Sequence, residues 1–118
     1  DLDAPALAAL RADAGGEALD ELVTGFITSS RARIEMLRTS CAQDPADVEH
    51  QHRELHSQKS TALLVGAAAL AGIAMELERR LAARAGPLLP ADLDRLAAAL
   101  DAYQRLVERD RLLDPAAE

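Results

Sequence analysis

Residues 17–42, EALDELVTGFITSSRARIEMLRTSCA, decide the fold class. Leu19, Leu22, Val23, Phe26, Ile27, Ser30, Ile34, Leu37 and Cys41 return at steps of three and four residues, which gathers their side chains on one face of an α-helix. The spacing predicts one long amphipathic helix over roughly 17–42.

Punctuation on either side of it predicts the rest. Upstream, Asp3 and Pro5 read as a cap and a first-turn proline that open a short helix through Ala14, stopped by Gly15-Gly16. Downstream, Asp44-Pro45 repeats the cap-plus-proline signal and predicts a third helix reaching about Val65. Gly66 breaks it, and a fourth helix runs to about Ala85 with Leu70, Ile73, Leu77 and Leu81 inward, ended by Gly86-Pro87. A fifth, from about Ala91 to Leu113, carries Leu93, Leu96, Leu100, Tyr103 and Leu106. Short connections make consecutive long helices antiparallel, so the expected fold is all-α: an up-down four-helix bundle with the short first helix capping one end. No repeat or second domain is evident, and 118 residues suffice for one core.

Composition narrows the function. Ala and Leu dominate, 49% of the residues are apolar, and Phe26 and Tyr103 are the sole aromatics. The net charge of −7 leaves no basic stripe for nucleic acid and disfavours an anionic membrane surface. The uncharged run Ser60–Met75 falls short of the ~20 residues of a membrane span. Cys41 stands alone, which excludes an internal disulfide and fits a reducing cytosol. Its spacing with Ile34 and Leu37 predicts a small buried hydrophobe. No signal peptide is visible. The start at Asp1 without Met and the tail Asp114-Pro115-Ala116-Ala117-Glu118 are what a domain cut from a longer chain would show.

All three histidines, His50, His52 and His56, fall in one short stretch of the third helix. Spacing leaves three readings open. His52 and His56, four apart, share a face and could meet one metal ion. His50 lies roughly 200° round from His52, so a third ligand would have to come from another helix. Alternatively His56 is a nucleophile: Arg53 and Lys59 place positive charge within one turn of it, Ser60 leaves room for a partner, and an imidazole with the reference pKa of ~6.5 is largely neutral near pH 7. The plainest reading is a surface histidine on an amphipathic helix.

The run His56-Ser57-Gln58-Lys59-Ser60-Thr61, followed by Gly66-Ala67, Leu70 and Leu77-Glu78, resembles the signature of histidine-containing phosphotransfer (HPt) domains. Upstream, Leu2 to Gly15 and the region around Phe26 also look like that family. The resemblance implies a phosphorelay intermediate of two-component signalling: His56 accepts a phosphoryl group from a receiver-domain aspartate and passes it to another. It implies that Lys59 offsets charge on the phosphoryl oxygens, with Arg53 or His52 assisting. A docking patch would include Ser60 and Leu63, and Mg²⁺ would belong to the receiver rather than to this chain. No glycine-rich phosphate loop is present, so neither an ATP site nor autokinase activity is expected. The partners expected are response-regulator receivers, for a monomer in the cytoplasm, free or as the tail of a hybrid sensor kinase. Gln58 stands where the family usually has Leu, and Ser60 where it has Gly; both departures are expected to act on partner docking. A docking module without phosphotransfer and a metal-binding bundle are the alternatives.

Overall fold

Along the chain run α1 (Ala4–Ala14), α2 (Gly16–Cys41), α3 (Val48–Leu64), α4 (Ala68–Ala82) and α5 (Pro90–Leu113). The computed structural model describes residues 2–113, with side chains to residue 110; Asp1 and the 114–118 tail lie outside the described residues.

Local chemistry sets most boundaries. Asp3 caps α1 by accepting from Ala6 N–H at 3.1 Å, with Pro5 in the first turn. Gly15, at φ 88°, separates α1 from α2. The opening of α3 differs from the sequence expectation. Asp44-Pro45 forms a cis peptide in the preceding turn, and Asp47 is the cap, its carboxylate accepting from His50 N–H at 3.0 Å. Glu49 joins it in the first turn of α3, where negative charge complements the helix dipole. The end of α4 also comes early, at Ala82 rather than Ala85. Arg84 takes the left-handed conformation (φ 53°), Ala85 N–H closes back onto Arg80 O at 2.9 Å, and the chain leaves the helix before Gly86. At α5, Asp92 reaches back to Leu89 N–H at 2.8 Å, the return half of a capping box, while Pro90 takes the first helical position.

The long helices pack as an antiparallel up-down bundle: α3 against α4, α2 against α5, with α2–α3 and α4–α5 contacts closing the ring. Their core is Leu19, Val23, Phe26, Ile34 and Leu37 of α2, Leu55 of α3, Leu70, Leu77 and Leu81 of α4, and Leu93, Leu96, Leu100 and Tyr103 of α5. Phe26 meets Tyr103 edge-on, ring centroids 5.6 Å apart. Ile73 and Leu106, expected inward, are only half-buried, while Ala71 and Ala74 are fully enclosed. These small side chains belong to the face of α4 that lets α3 come close. Leu22, also expected inward, is exposed on the shoulder of a groove between α2 and α3. Cys41 is half-buried, and its Sγ donates to Leu88 O at 2.8 Å instead of serving purely as an apolar filler.

The first helix caps the end of the bundle where α3 turns into α4. Asp3 N–H donates to Gly66 O at 2.7 Å, and Leu2 pairs with Ala67 as an isolated antiparallel bridge. Gly66 has φ +74°, and a Cβ there would stand 2.7 Å from Asp3 O, so the corner requires glycine on two counts.

The α2–α3 seam is more polar than the helical pattern implies. Gln51 and Gln58 are fully buried and donate to Ser40 Oγ and Ser30 Oγ, each at 3.0 Å. Arg33 of α2 spans the seam, its Nε to Glu54 Oε2 at 2.9 Å and its Nη1 to Gln58 Oε1 at 3.0 Å. Both functional ends of the Gln58 amide are therefore paired, which removes the cost of burying it.

Candidate functional site

Leu55, Gln58 and Ala62 anchor α3 in the core, so positions one residue out of step with them face the α4 flank or solvent. His52, His56 and Lys59 fall on that flank. Opposite them, Leu77 is buried on α4, and its neighbour Glu78 projects toward α3.

Glu78 gathers all three basic side chains. Its Oε1 lies 3.0 Å from His56 Nδ1 and 3.9 Å from His52 Nε2, and its Oε2 lies 3.2 Å from Lys59 Nζ. Oε2 is buried and has no hydrogen-bond partner, so the Lys59 contact is an ion pair without good hydrogen-bond geometry. Burial acts to raise the Glu78 carboxyl, but the contacts with His56 and Lys59 outweigh it and hold the group below its ordinary value. Near neutral pH Glu78 is a carboxylate and can only accept. The proton between it and His56 therefore sits on Nδ1, and in a neutral ring the lone pair is on Nε2. The imidazole is 59% exposed while Glu78 is only 14% exposed, so Nδ1 is held and the rest of the ring is open to a partner.

The other residues singled out by sequence lie nearby on α3. Arg53 is exposed one turn before His56 and makes no ion pair among the described residues; it lines a shallow depression with Val48, Glu49, His52 and Leu81. Ser60 Oγ donates to His56 O at 3.1 Å, so its hydroxyl is engaged with the helix backbone. Leu63, two turns beyond His56, is 54% exposed, as is Leu64 beside it. Among the described residues no group of three His, Cys, Asp or Glu side chains is arranged to hold a metal ion, and of the three histidines it is His52 and His56 that lie against Glu78. Gln58 is buried against Ser30 and Arg33, so its side chain offers no direct contact to a partner, and an effect on docking would have to act through the packing of α3.

Glu78 is the residue to which the sequence, though it shows it within the signature, assigns no role. It was visible as the acid of Leu77-Glu78, at a fixed offset on the helix antiparallel to that of His56, but periodicity alone gives a charged residue there no task.

The site is an exposed imidazole on an all-α bundle, with one ring nitrogen held by a carboxylate and the other open, and among the described residues it has no enclosed cavity beside it. A family model described as Hpt domain matches residues 21–106, and the chain belongs to that family. The match takes in α3 and α4 entire and most of α2 and α5; α1 and its corner at Gly66 join a segment outside the matched span to one within it. Hpt domains are phosphotransfer carriers of two-component phosphorelays, and they interact with response-regulator receiver domains. No curated protein and no solved structure matches the chain. None of its helices, among the described residues, is long and apolar enough to cross a membrane.

Proposed function

We propose that the chain is a phosphorelay intermediate that accepts a phosphoryl group from a receiver's aspartyl phosphate on His56 Nε2 and gives it to the aspartate of a second receiver. The observation that supports this reading is the His56–Glu78 contact: with the proton on Nδ1, the Nε2 lone pair is left on an exposed ring.

In the forward step the Nε2 lone pair attacks phosphorus, the P–N bond forms as the bond from phosphorus to the aspartyl oxygen breaks, and the receiver recovers its carboxylate. The ring keeps its Nδ1 proton and becomes cationic, a charge that Glu78 stabilises at 3.0 Å. In this reading Lys59 offsets charge on the transferred oxygens, with Arg53 or His52 assisting. The receiver brings Mg²⁺; this chain supplies the histidine, its orientation and the local charge. The docking patch in this reading covers Ser60 and Leu63 on the open face of α3. The setting is cytoplasmic, with the chain either free or as the tail of a hybrid sensor kinase.

The test is labelling with a phospho-receiver and Mg²⁺. The expected product is an acid-labile, alkali-stable phosphoryl group that His56→Gln abolishes. A label that survives His56→Gln overturns the assignment, and tight receiver binding with no phosphohistidine would make the chain a docking module.

A further inference from the structure

Lys59 is held by Glu78 rather than standing free for an incoming phosphoryl group. Its ammonium lies 3.2 Å from Glu78 Oε2, an oxygen that is buried and has no hydrogen-bond partner, while Oε1 already serves His56. Lys59 is 22% exposed, so the pair sits largely out of bulk water, where charge interactions are strong. A phosphoryl group on Nε2 presents a second anion to the same ammonium. If Lys59 turns to it, Glu78 Oε2 is left buried without its counter-ion, and an unpaired buried charge is costly. His52 offers incomplete relief, since its Nε2 stands 3.9 Å away on the side of Oε1.

We propose that Glu78 and the phosphoryl group compete for Lys59, which makes Glu78 a positioning residue that keeps phospho-His56 poised for onward transfer. Part of what Lys59 contributes to the phosphorylated state is offset by the ion pair it must leave. The phosphohistidine is then less stable than a freely available lysine would make it, as suits an intermediate that must give up its group. This rests on the reading of His56 as the phosphoryl acceptor.

A double-mutant cycle separates this competition from simple repulsion between Glu78 and phosphate, because repulsion acts whether or not Lys59 is present. Wild type, Glu78→Gln, Lys59→Ala and the double variant are each brought to equilibrium with phosphoramidate and ammonium, and phosphohistidine is read by ³¹P NMR. In that exchange Nε2 forms the new P–N bond as the bond from phosphorus to the donor nitrogen breaks and ammonia leaves. The amide oxygen introduced by Glu78→Gln still accepts from Nδ1, so ring orientation is retained. The factor by which Glu78→Gln changes the phosphohistidine equilibrium constant should be about fivefold larger when Lys59 is present than in the Lys59→Ala background, a coupling typical of side chains in contact. Lys59→Met repeats the cycle with the side-chain length kept, and circular dichroism checks the bundle in every variant. A ratio within twofold of one, or below one, overturns the proposal. Phospho-His56 that forms from phosphoramidate but passes to no receiver counts against the relay reading alone. A wild-type chain that phosphoramidate does not label at His56 overturns both.

Discussion

His56 Nδ1 on α3 lies 3.0 Å from Glu78 Oε1 on α4, and this contact between two helices places the proton on Nδ1 and leaves Nε2 open. Removing it should show in both structure and rate. In wild type at neutral pH, ¹⁵N NMR of His56 should report the tautomer protonated at Nδ1. Glu78→Ala should lose that preference and slow phosphorylation by about tenfold, the effect expected when one hydrogen bond to a charged group (about 1.5 kcal/mol) is lost. An unchanged tautomer in Glu78→Ala would show that the carboxylate does not orient the ring.

The phenol of Tyr103 donates to Val65 O at 2.7 Å where α3 ends, in a fully buried setting. Burial pushes the phenol well above its ordinary value, so it stays a neutral donor throughout the physiological range. Tyr103→Phe keeps the edge-on contact with Phe26 but leaves a buried carbonyl unpaired, at a cost of about 1–3 kcal/mol. Urea unfolding should show a lower midpoint with an unchanged slope.

The corner at Gly66 should be as sensitive. Gly66→Ala adds a Cβ at 2.7 Å from Asp3 O in a backbone conformation that disfavours side chains, and about 1–3 kcal/mol of strain is expected. The chain can relieve it by releasing Asp3 and Leu2, so hydrogen exchange in α1 should quicken before the rest of the bundle loosens. Uniform loosening would show that α1 is not held through this corner.

The sequence shows the bundle because each long helix has an apolar face and because Gly15, Gly66 and Gly86 punctuate the chain. The cap at Asp47 escaped notice because Asp44-Pro45 offers the same signal three residues earlier, and only the path of the chain selects between them. The early end of α4 was hidden for a similar reason: Arg84 adopts a conformation that composition assigns to glycine. At the site, His56 and Lys59 were legible as one helix face, but Glu78 acquires its role only when α4 lies against α3. Gln51, Leu55, Gln58 and Ala62 do recur at core spacing, a pattern that marks both glutamines as inward-facing. Residue type argued against it, because burial of an amide depends on partners (Ser40, Ser30 and Arg33) that lie on another helix.

Acid should weaken the α4–α5 junction. Asp92 is buried, which acts to raise its carboxyl, but the hydrogen bonds from Arg80 and from Leu89 N–H outweigh burial and place it below its ordinary 3.8. A carboxyl lowered in the folded state contributes stability that is complete above its unfolded value and is lost as pH falls through the folded one. Stability should therefore decline below about pH 4 as Asp92 protonates, in concert with Glu78, which is lowered likewise. Asp92→Asn should be less stable than wild type at pH 7 and show a shallower loss between about pH 4 and pH 2 in thermal melts.

Gln58→Leu restores the residue type usual in the family and tests where this side chain acts. Leucine gains apolar burial, but the substitution strips Arg33 Nη1 of its acceptor and the buried Ser30 of its donor in a largely buried seam. Removing one member of a buried polar set leaves the others unpaired, so the single change should destabilise by about 1–3 kcal/mol despite the added hydrophobicity. Replacing Ser30 by Ala and Arg33 by Met together with Gln58→Leu removes every orphaned partner except Glu54, which reaches the surface. The triple variant should recover most of the loss. Because Gln58 faces inward, phosphotransfer to His56 should keep its wild-type rate in the folded triple variant. A receiver affinity that changes with Gln58 at constant stability would return the residue to the docking surface.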